Sequence, residues 1–158
     1  MDARLNLHEN AIAAKFFKRL NAAAAVVAEA GLPESTGNLV VLRASQINGC
    51  GFCTDMHTKD ALAAGEDSTR LALVAAWREA TVFTDAERAA LELTEEATRI
   101  ADAAGGVSDE VWERAARHYD EDQLAALICL IGVINAYNRA NVVVRTPAGW
   151  YEPGMFAA

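Results

Sequence analysis

Glycine and proline fall mostly at the seams of this chain, and the segments between them carry apolar residues at helical spacing. Alanine is abundant, while 158 residues include only 10 glycines and 3 prolines, so little interrupts helix formation inside a segment. The pattern predicts an all-α fold. A first helix is expected from about His8 to Ala30, with Ile12, Phe16, Leu20 and Val27 at helical spacing and Gly31 just past its end. Gly31-Leu32-Pro33 breaks the chain before a second helix, from near Glu34 to Ile47, which stops at Asn48-Gly49. A third opens at Cys50 and closes at Gly65, and a short fourth covers about Ser68 to Trp77. Thr84-x-x-Glu87 reads as a capping box for a fifth helix that ends before Gly105-Gly106. Ser108 can cap a sixth, bearing Val111 and Trp112. Asp120-x-x-Gln123 can cap a long seventh through Leu127, Ile131 and Ile134 to about Val144, where Thr146-Pro147 stops it. With no repeat, low-complexity segment or linker, residues 1–158 read as one helical domain of about seven helices. Its irregular tail runs from Ala148 to Ala158.

Composition narrows the function classes. Apolar residues are 53% of the chain and charged residues 23%, enough hydrophobic material for a core and unlike a disordered segment. A net charge of −8 opposes binding to a phosphate backbone, so nucleic acid is not an expected partner. The longest strongly apolar run, Leu124 to Ile134, falls short of the roughly 20 residues needed to span a bilayer. The N-terminus lacks the basic-then-apolar order of a signal peptide. A cytoplasmic protein without membrane partners is expected.

Chemistry concentrates where the third helix begins. Cys50 and Cys53 form a Cys-x-x-Cys there, and His57 lies four residues after Cys53, so the three side chains share one helix face. Unpaired N–H groups and aligned peptide dipoles at a helix start favour thiolate over thiol. The spacing suits a dithiol couple in which one thiolate attacks an electrophile, the other resolves the product into a disulfide, and His57 takes or relays the proton. The dipole favours Cys50 as the attacking group, whereas closeness to His57 favours Cys53. Zinc is the competing reading, with Cys50, Cys53 and His57 as three ligands and His8, His118 or Cys129 as a fourth, although no second Cys/His cluster accompanies them. Otherwise His8 and His118 read as surface or capping residues. Cys129, between Ile128 and Leu130, reads as a small core residue. A purely structural disulfide over so short a loop would remove little chain entropy. Asn135, Asn138 and Arg139 place a polar strip on the apolar last helix, which either bonds to a neighbouring helix or lines the thiol pocket. Trp77-Arg78-Glu79 reads as a packed helix end with an ion pair.

The stretch from Ser45 to Ala61, containing Asn48-Gly49-Cys50-Gly51-Phe52-Cys53 and His57, closely resembles the AhpD-like alkylhydroperoxidase branch of the carboxymuconolactone decarboxylase family. Similarity continues at Ala75 to Glu79, Phe83 to Glu87, Ile134 to Arg139 and Arg145-Thr146-Pro147, and by order of elements it covers roughly Leu5 to Gly149. The resemblance implies an all-helical fold assembling as trimers or as hexamers built from dimers. It also implies thiol-dependent reduction of hydroperoxides, with no organic cofactor or metal and an external dithiol or thiol protein as reductant. It makes Cys53 the attacking cysteine, Cys50 the resolving one and His57 part of a proton relay. The family's relay glutamate, twelve residues before the first cysteine, corresponds to Asn38, which cannot ionise; Glu34, one turn earlier, or a water held by Asn38 would have to serve. Phe52 stands where the best-studied branch has a histidine. These departures leave the dithiol intact and point to slow turnover, because proton transfer contributes about 10²-fold or more to a step that needs it. Decarboxylation, which needs no Cys-x-x-Cys, is disfavoured. The rival outside enzymology is an oligomeric module that senses redox state or binds zinc.

Overall fold

The computed structural model describes residues 2–7 and 9–156, and these form seven α-helices with no strand. The helices are α1 (Ala11–Val27), α2 (Glu34–Ile47), α3 (Gly51–Ala63), α4 (Ser68–Leu73), α5 (Asp85–Thr98), α6 (Asp109–Ala116) and α7 (Glu121–Val144). Single 3₁₀ turns extend α1 over Ala28–Ala30 and α4 over Val74–Ala76. The expected start at His8 lies outside the described residues; α1 begins where Asn10 Oδ1 accepts from the Ile12 and Ala13 amides. Both capping boxes form, at Thr84/Glu87 and at Asp120/Gln123, and Ser108 Oγ accepts from the Val111 amide. The fifth helix ends at Thr98, short of Gly105. Glu96 instead accepts from Ser108 N and Oγ at 2.8 and 3.0 Å, which folds the start of α6 back onto α5.

α2 is the central post, because its successive faces enter different cores. Val40 joins Ala90, Leu93, Val111, Leu127 and Ile131 on the α5–α6–α7 side. Leu39 and Leu42 join Leu71, Val74, Trp77, Phe83 and Leu91 on the other. A helix apolar around its circumference has to be enclosed, and α2 is. Between these cores, buried Glu95 accepts from Arg43 Nε at 2.8 Å, Trp77 Nε1 at 2.9 Å and Arg78 Nη1 at 2.6 Å. The ion pair expected near Trp77 thus runs from Arg78 to Glu95 and not to Glu79. Burial alone would raise the Glu95 carboxyl, but the hydrogen bonds from Arg78, Trp77 and Arg43 outweigh it and hold the group down at about 2.

None of the α1 side chains is buried, and Ile12 is 80% exposed, so its apolar stripe faces outward as well as against α7. Two expectations need correction. Cys129 is exposed, not in the core, since the buried row on α7 runs through Leu124, Leu127, Ile131, Ile134 and Asn138, and residue 129 falls on the opposite side. The apolar run at 124–134 belongs to a 24-residue helix that is, by length and composition, long enough to cross a membrane. Its inner face nevertheless carries Asn135, Asn138 and Asn141 and packs on α2, as a core helix does.

Candidate active site

Cys50 is the N-cap of α3, reached through a left-handed turn at Gly49 (φ +66°) that lets α2 end and α3 begin almost at once. Its amide donates to Ser45 O at 3.0 Å, and its Sγ accepts from the Cys53 amide at 3.3 Å. The first turn of α3 therefore aims backbone N–H dipoles at the cysteine pair. Cys50 and Cys53 are joined in a disulfide, with Cα atoms 5.4 Å apart, and both are buried.

The two sulfurs are not equivalent. Cys53 borders a cavity of about 680 Å³, and Cys50 does not. The walls are mostly apolar: Phe17, Ala24 and Ala25 of α1, Val41 of α2, Phe52 and Met56 of α3, Leu130, Val133 and Ile134 of α7, and Phe156. Polar groups are few, and His57, Asp60, Tyr137, Asn141 and Tyr151 are among them. The Tyr137 hydroxyl donates to Asn21 Oδ1, which ties α7 to α1 at the rim.

His57 sits one turn after Cys53, and its Nε2 is buried without a hydrogen-bond partner. Burial drives the imidazole down to about 4, against the pull of the Asp60 carboxylate, which favours the charged form. At neutral pH the ring is uncharged and can accept a proton. Asp60 in turn accepts from the Tyr151 hydroxyl at 2.8 and 3.1 Å and from the Gly154 amide at 3.3 Å.

Residues 148–156 form no α-helix and are bound along α3; residues 157 and 158 of the expected tail lie outside the described residues. Lys59 Nζ donates to Tyr151 O at 2.8 Å, and the Gly149 amide donates to Asp55 Oδ2 at 2.7 Å. Trp150 stacks on Phe52 with ring centres 5.5 Å apart, and Tyr151 and Phe156 complete the aromatic cover. Phe52, the residue before Cys53, thus serves as the anchor for this cover.

The other named residues lie elsewhere. Glu34 is exposed at the start of α2 and Asn38 is half-buried one turn on; neither borders the cavity. Asn135 and Asn138 pair α7 with α2. Asn48 Nδ2 donates to their Oδ1 atoms at 3.0 and 2.9 Å, and Asn138 Nδ2 donates to Ser45 Oγ at 3.1 Å. Asn141, one turn beyond Asn138 and outside the strip of Asn135, Asn138 and Arg139, faces the cavity. Its position at i+3 was the available signal in the sequence, as Asp60 at i+3 from His57 was for the carboxylate. His118 is exposed, His8 lies outside the described residues, and among the described residues no three His, Cys, Asp or Glu side chains are grouped to hold a metal ion.

Residues 13–96 match the carboxymuconolactone decarboxylase family. The uncharacterized protein YdfG of Bacillus subtilis (strain 168) is 39% identical over 120 residues, 76% of this chain and 80% of that protein. Protein ATU0492 of Agrobacterium tumefaciens, of unknown function and with a name tying it to the antioxidant defence protein AhpD, superposes with a TM-score of 0.86 at 33% identity. That match covers 95% of this chain and all of the other. A peroxidase-related protein from Ralstonia eutropha JMP134 with an alkylhydroperoxidase AhpD core shares the fold, with a TM-score of 0.63 at 17% identity over 76% of this chain and 62% of its own. A helix-start Cys50–Cys53 disulfide in this seven-helix frame, together with these matches, makes the chain a member of the carboxymuconolactone decarboxylase family with an AhpD-like fold.

Proposed function

We propose that this protein is an antioxidant thiol peroxidase that reduces organic hydroperoxides by cycling Cys50 and Cys53 between dithiol and disulfide. One observation carries the reading: Cys53, and not Cys50, borders the apolar cavity, with a neutral His57 on the same wall. In the reduced state His57 takes the Cys53 proton. The thiolate attacks the outer peroxide oxygen, the O–O bond breaks, and Cys53 becomes a sulfenic acid while the departing alkoxide takes a proton from the imidazolium and leaves as the alcohol. The Cys50 thiol then attacks the sulfenic sulfur, forming the disulfide and releasing water, and an external dithiol or thiol protein returns both cysteines to thiols.

An imidazole held down at about 4 is a weak base alone, but the thiolate formed beside it supplies the countercharge, and Asp60 adds to it. Asp60 thereby stands in for the relay carboxylate whose family position is Asn38. The apolar walls suit an alkyl or aryl substituent on the peroxide. The same reading takes the chain as one catalytic domain within a cytoplasmic homo-oligomer, trimer or hexamer. The exposed apolar side chains of α1 and α7 supply contact surface, among them Ile12, Phe16, Val26, Ile128 and Val143.

The test is consumption of an organic hydroperoxide by the reduced protein with a dithiol as electron donor. Cys53→Ser should abolish it, and reduced Cys50→Ser, freed of the dithiol before peroxide is added, should consume one equivalent and stop with a trapped sulfenic acid. Wild-type consumption by folded Cys53→Ser would overturn the reading.

A further inference from the structure

We propose that Asn141 is the hydrogen-bond donor that stabilises the Cys53 sulfur as a thiolate, and is therefore a further catalytic residue of the thiol site; the inference rests on the dithiol chemistry proposed above. Asn141 Nδ2 lies 3.8 Å from Cys53 Sγ, within reach of a hydrogen bond to sulfur. The same nitrogen donates to the backbone carbonyl of Tyr137 at 3.0 Å. A carbonyl oxygen only accepts, so this bond fixes which end of the amide is the NH₂ group. An amide nitrogen carries two hydrogens, one for Tyr137 O and the second for the sulfur. The residue is 8% exposed and borders the cavity, so the donor is held in place before any substrate arrives.

The comparison within α7 sharpens the assignment. Asn135 and Asn138 have their amides committed to Ser45, Thr98 and Asn48 between helices, and Asn135 also to the Ile131 carbonyl within α7. Asn141 repeats their spacing but turns to the cysteine. Against a disulfide sulfur, a weak acceptor, the contact is long; a thiolate carries full charge and draws the same donor closer.

The site needs such a donor. Cys53 is 1% exposed among apolar walls, and burial of that kind favours the neutral thiol. The titratable groups facing the cavity are His57 and Asp60 of α3, Tyr137 of α7 and Tyr151 of the tail, while α1 and α2 present none there. Asp60 carries the wrong charge to help a thiolate, and His57 helps only once it is protonated. The Asn141 dipole acts at every pH.

The experiment titrates the Cys53 thiol in fully reduced protein carrying Cys50→Ser and Cys129→Ser, which leaves it the sole cysteine of three. Thiolate absorbance and the rate of alkylation by iodoacetamide are followed against pH. Asn141→Leu should raise the midpoint by about one pH unit, and Asn141→Asp, which replaces the donor with a carboxylate of nearly the same shape, should raise it further. Wild-type midpoints in both variants, with circular dichroism unchanged, would overturn the assignment; if the leucine variant does not fold, the aspartate variant decides alone. No peroxide enters this measurement. Raised midpoints in a protein that consumes no hydroperoxide would remove the peroxidase reading and leave Asn141 in place, and unchanged midpoints in an active peroxidase would do the reverse.

Discussion

The hydroxyl of Tyr151 donates to the carboxylate of Asp60 at 2.8 Å, joining the C-terminal segment to the helix that carries both cysteines. Asp60 is thereby shared: it holds the tail through Tyr151 and the Gly154 amide, and it is the charge that acts on His57. Tyr151→Phe keeps the aromatic packing with Phe52 and Phe156 but removes this bond. Hydrogen bonds to a charged group contribute roughly 1.5–3 kcal/mol, so the tail should open about tenfold more often or beyond. The Gly154 amide also donates to the Tyr151 hydroxyl at 3.1 Å, so the opening is read instead by hydrogen exchange at the Gly149 amide, which donates to Asp55; an unchanged rate there would show that the aromatic contacts alone hold the segment.

Glu95→Ala should be among the most destabilising single changes in the protein. The carboxylate is 4% exposed and receives Arg43, Trp77 and Arg78, so its loss strands the half-buried Arg43 guanidinium and the buried Trp77 indole N–H. Breaking such a pair typically costs about 3–5 kcal/mol. The carboxyl is held at about 2, below its ordinary value near 4.5, so its stabilising contribution is complete above that ordinary value and is lost as pH falls toward 2. Denaturant unfolding of wild type and variant should therefore converge in acid; a constant gap down to the acid limit would sink the account.

The helix starts were legible because each is written locally, as at Thr84/Glu87 and Asp120/Gln123. The cysteine–histidine face was legible for the same reason, being contained within two turns of α3. What joins distant segments was not. Nothing in the run around Trp150 announces that it stacks on Phe52, about a hundred positions earlier. Cys129 misled because flanking Ile128 and Leu130 report local apolarity, while burial is decided by which arc of α7 meets α2. The Asn135/Asn138 strip was visible as polar, but only packing separates the amides that bridge helices from Asn141, which meets the sulfur.

Exposed apolar side chains on α1 give a test of assembly. Ile12 and Val26 are 80% and 61% exposed and belong to no buried cluster, so the double variant Ile12→Glu/Val26→Glu should change the stability of an isolated chain by less than about 1 kcal/mol. If these side chains sit in a subunit contact, burying two carboxylates there is prohibitive and the complex should dissociate. Light scattering at matched concentration checks this. A molar mass equal to the wild-type value would place any contact away from α1.

His57 should write its buried state into the pH dependence of the oxidised protein. Its folded value of about 4 lies below the ordinary 6.5, so above 6.5 neither the folded nor the unfolded chain binds a proton there and the residue contributes no slope. Between 6.5 and 4 the unfolded chain is protonated and the folded one is not; stability therefore falls as the solution is acidified, and the loss levels off below 4. At 1.36 kcal/mol per pH unit the full loss is about 3 kcal/mol. His57→Gln removes the titrating group while keeping a polar side chain, and the difference in unfolding free energy between it and wild type should be flat above 6.5 and shift in the variant's favour below it. Parallel profiles across that window would mean that the imidazole takes up its proton in the folded protein as readily as in water. The uncharged acceptor invoked beside Cys53 would then not exist in mildly acidic solution.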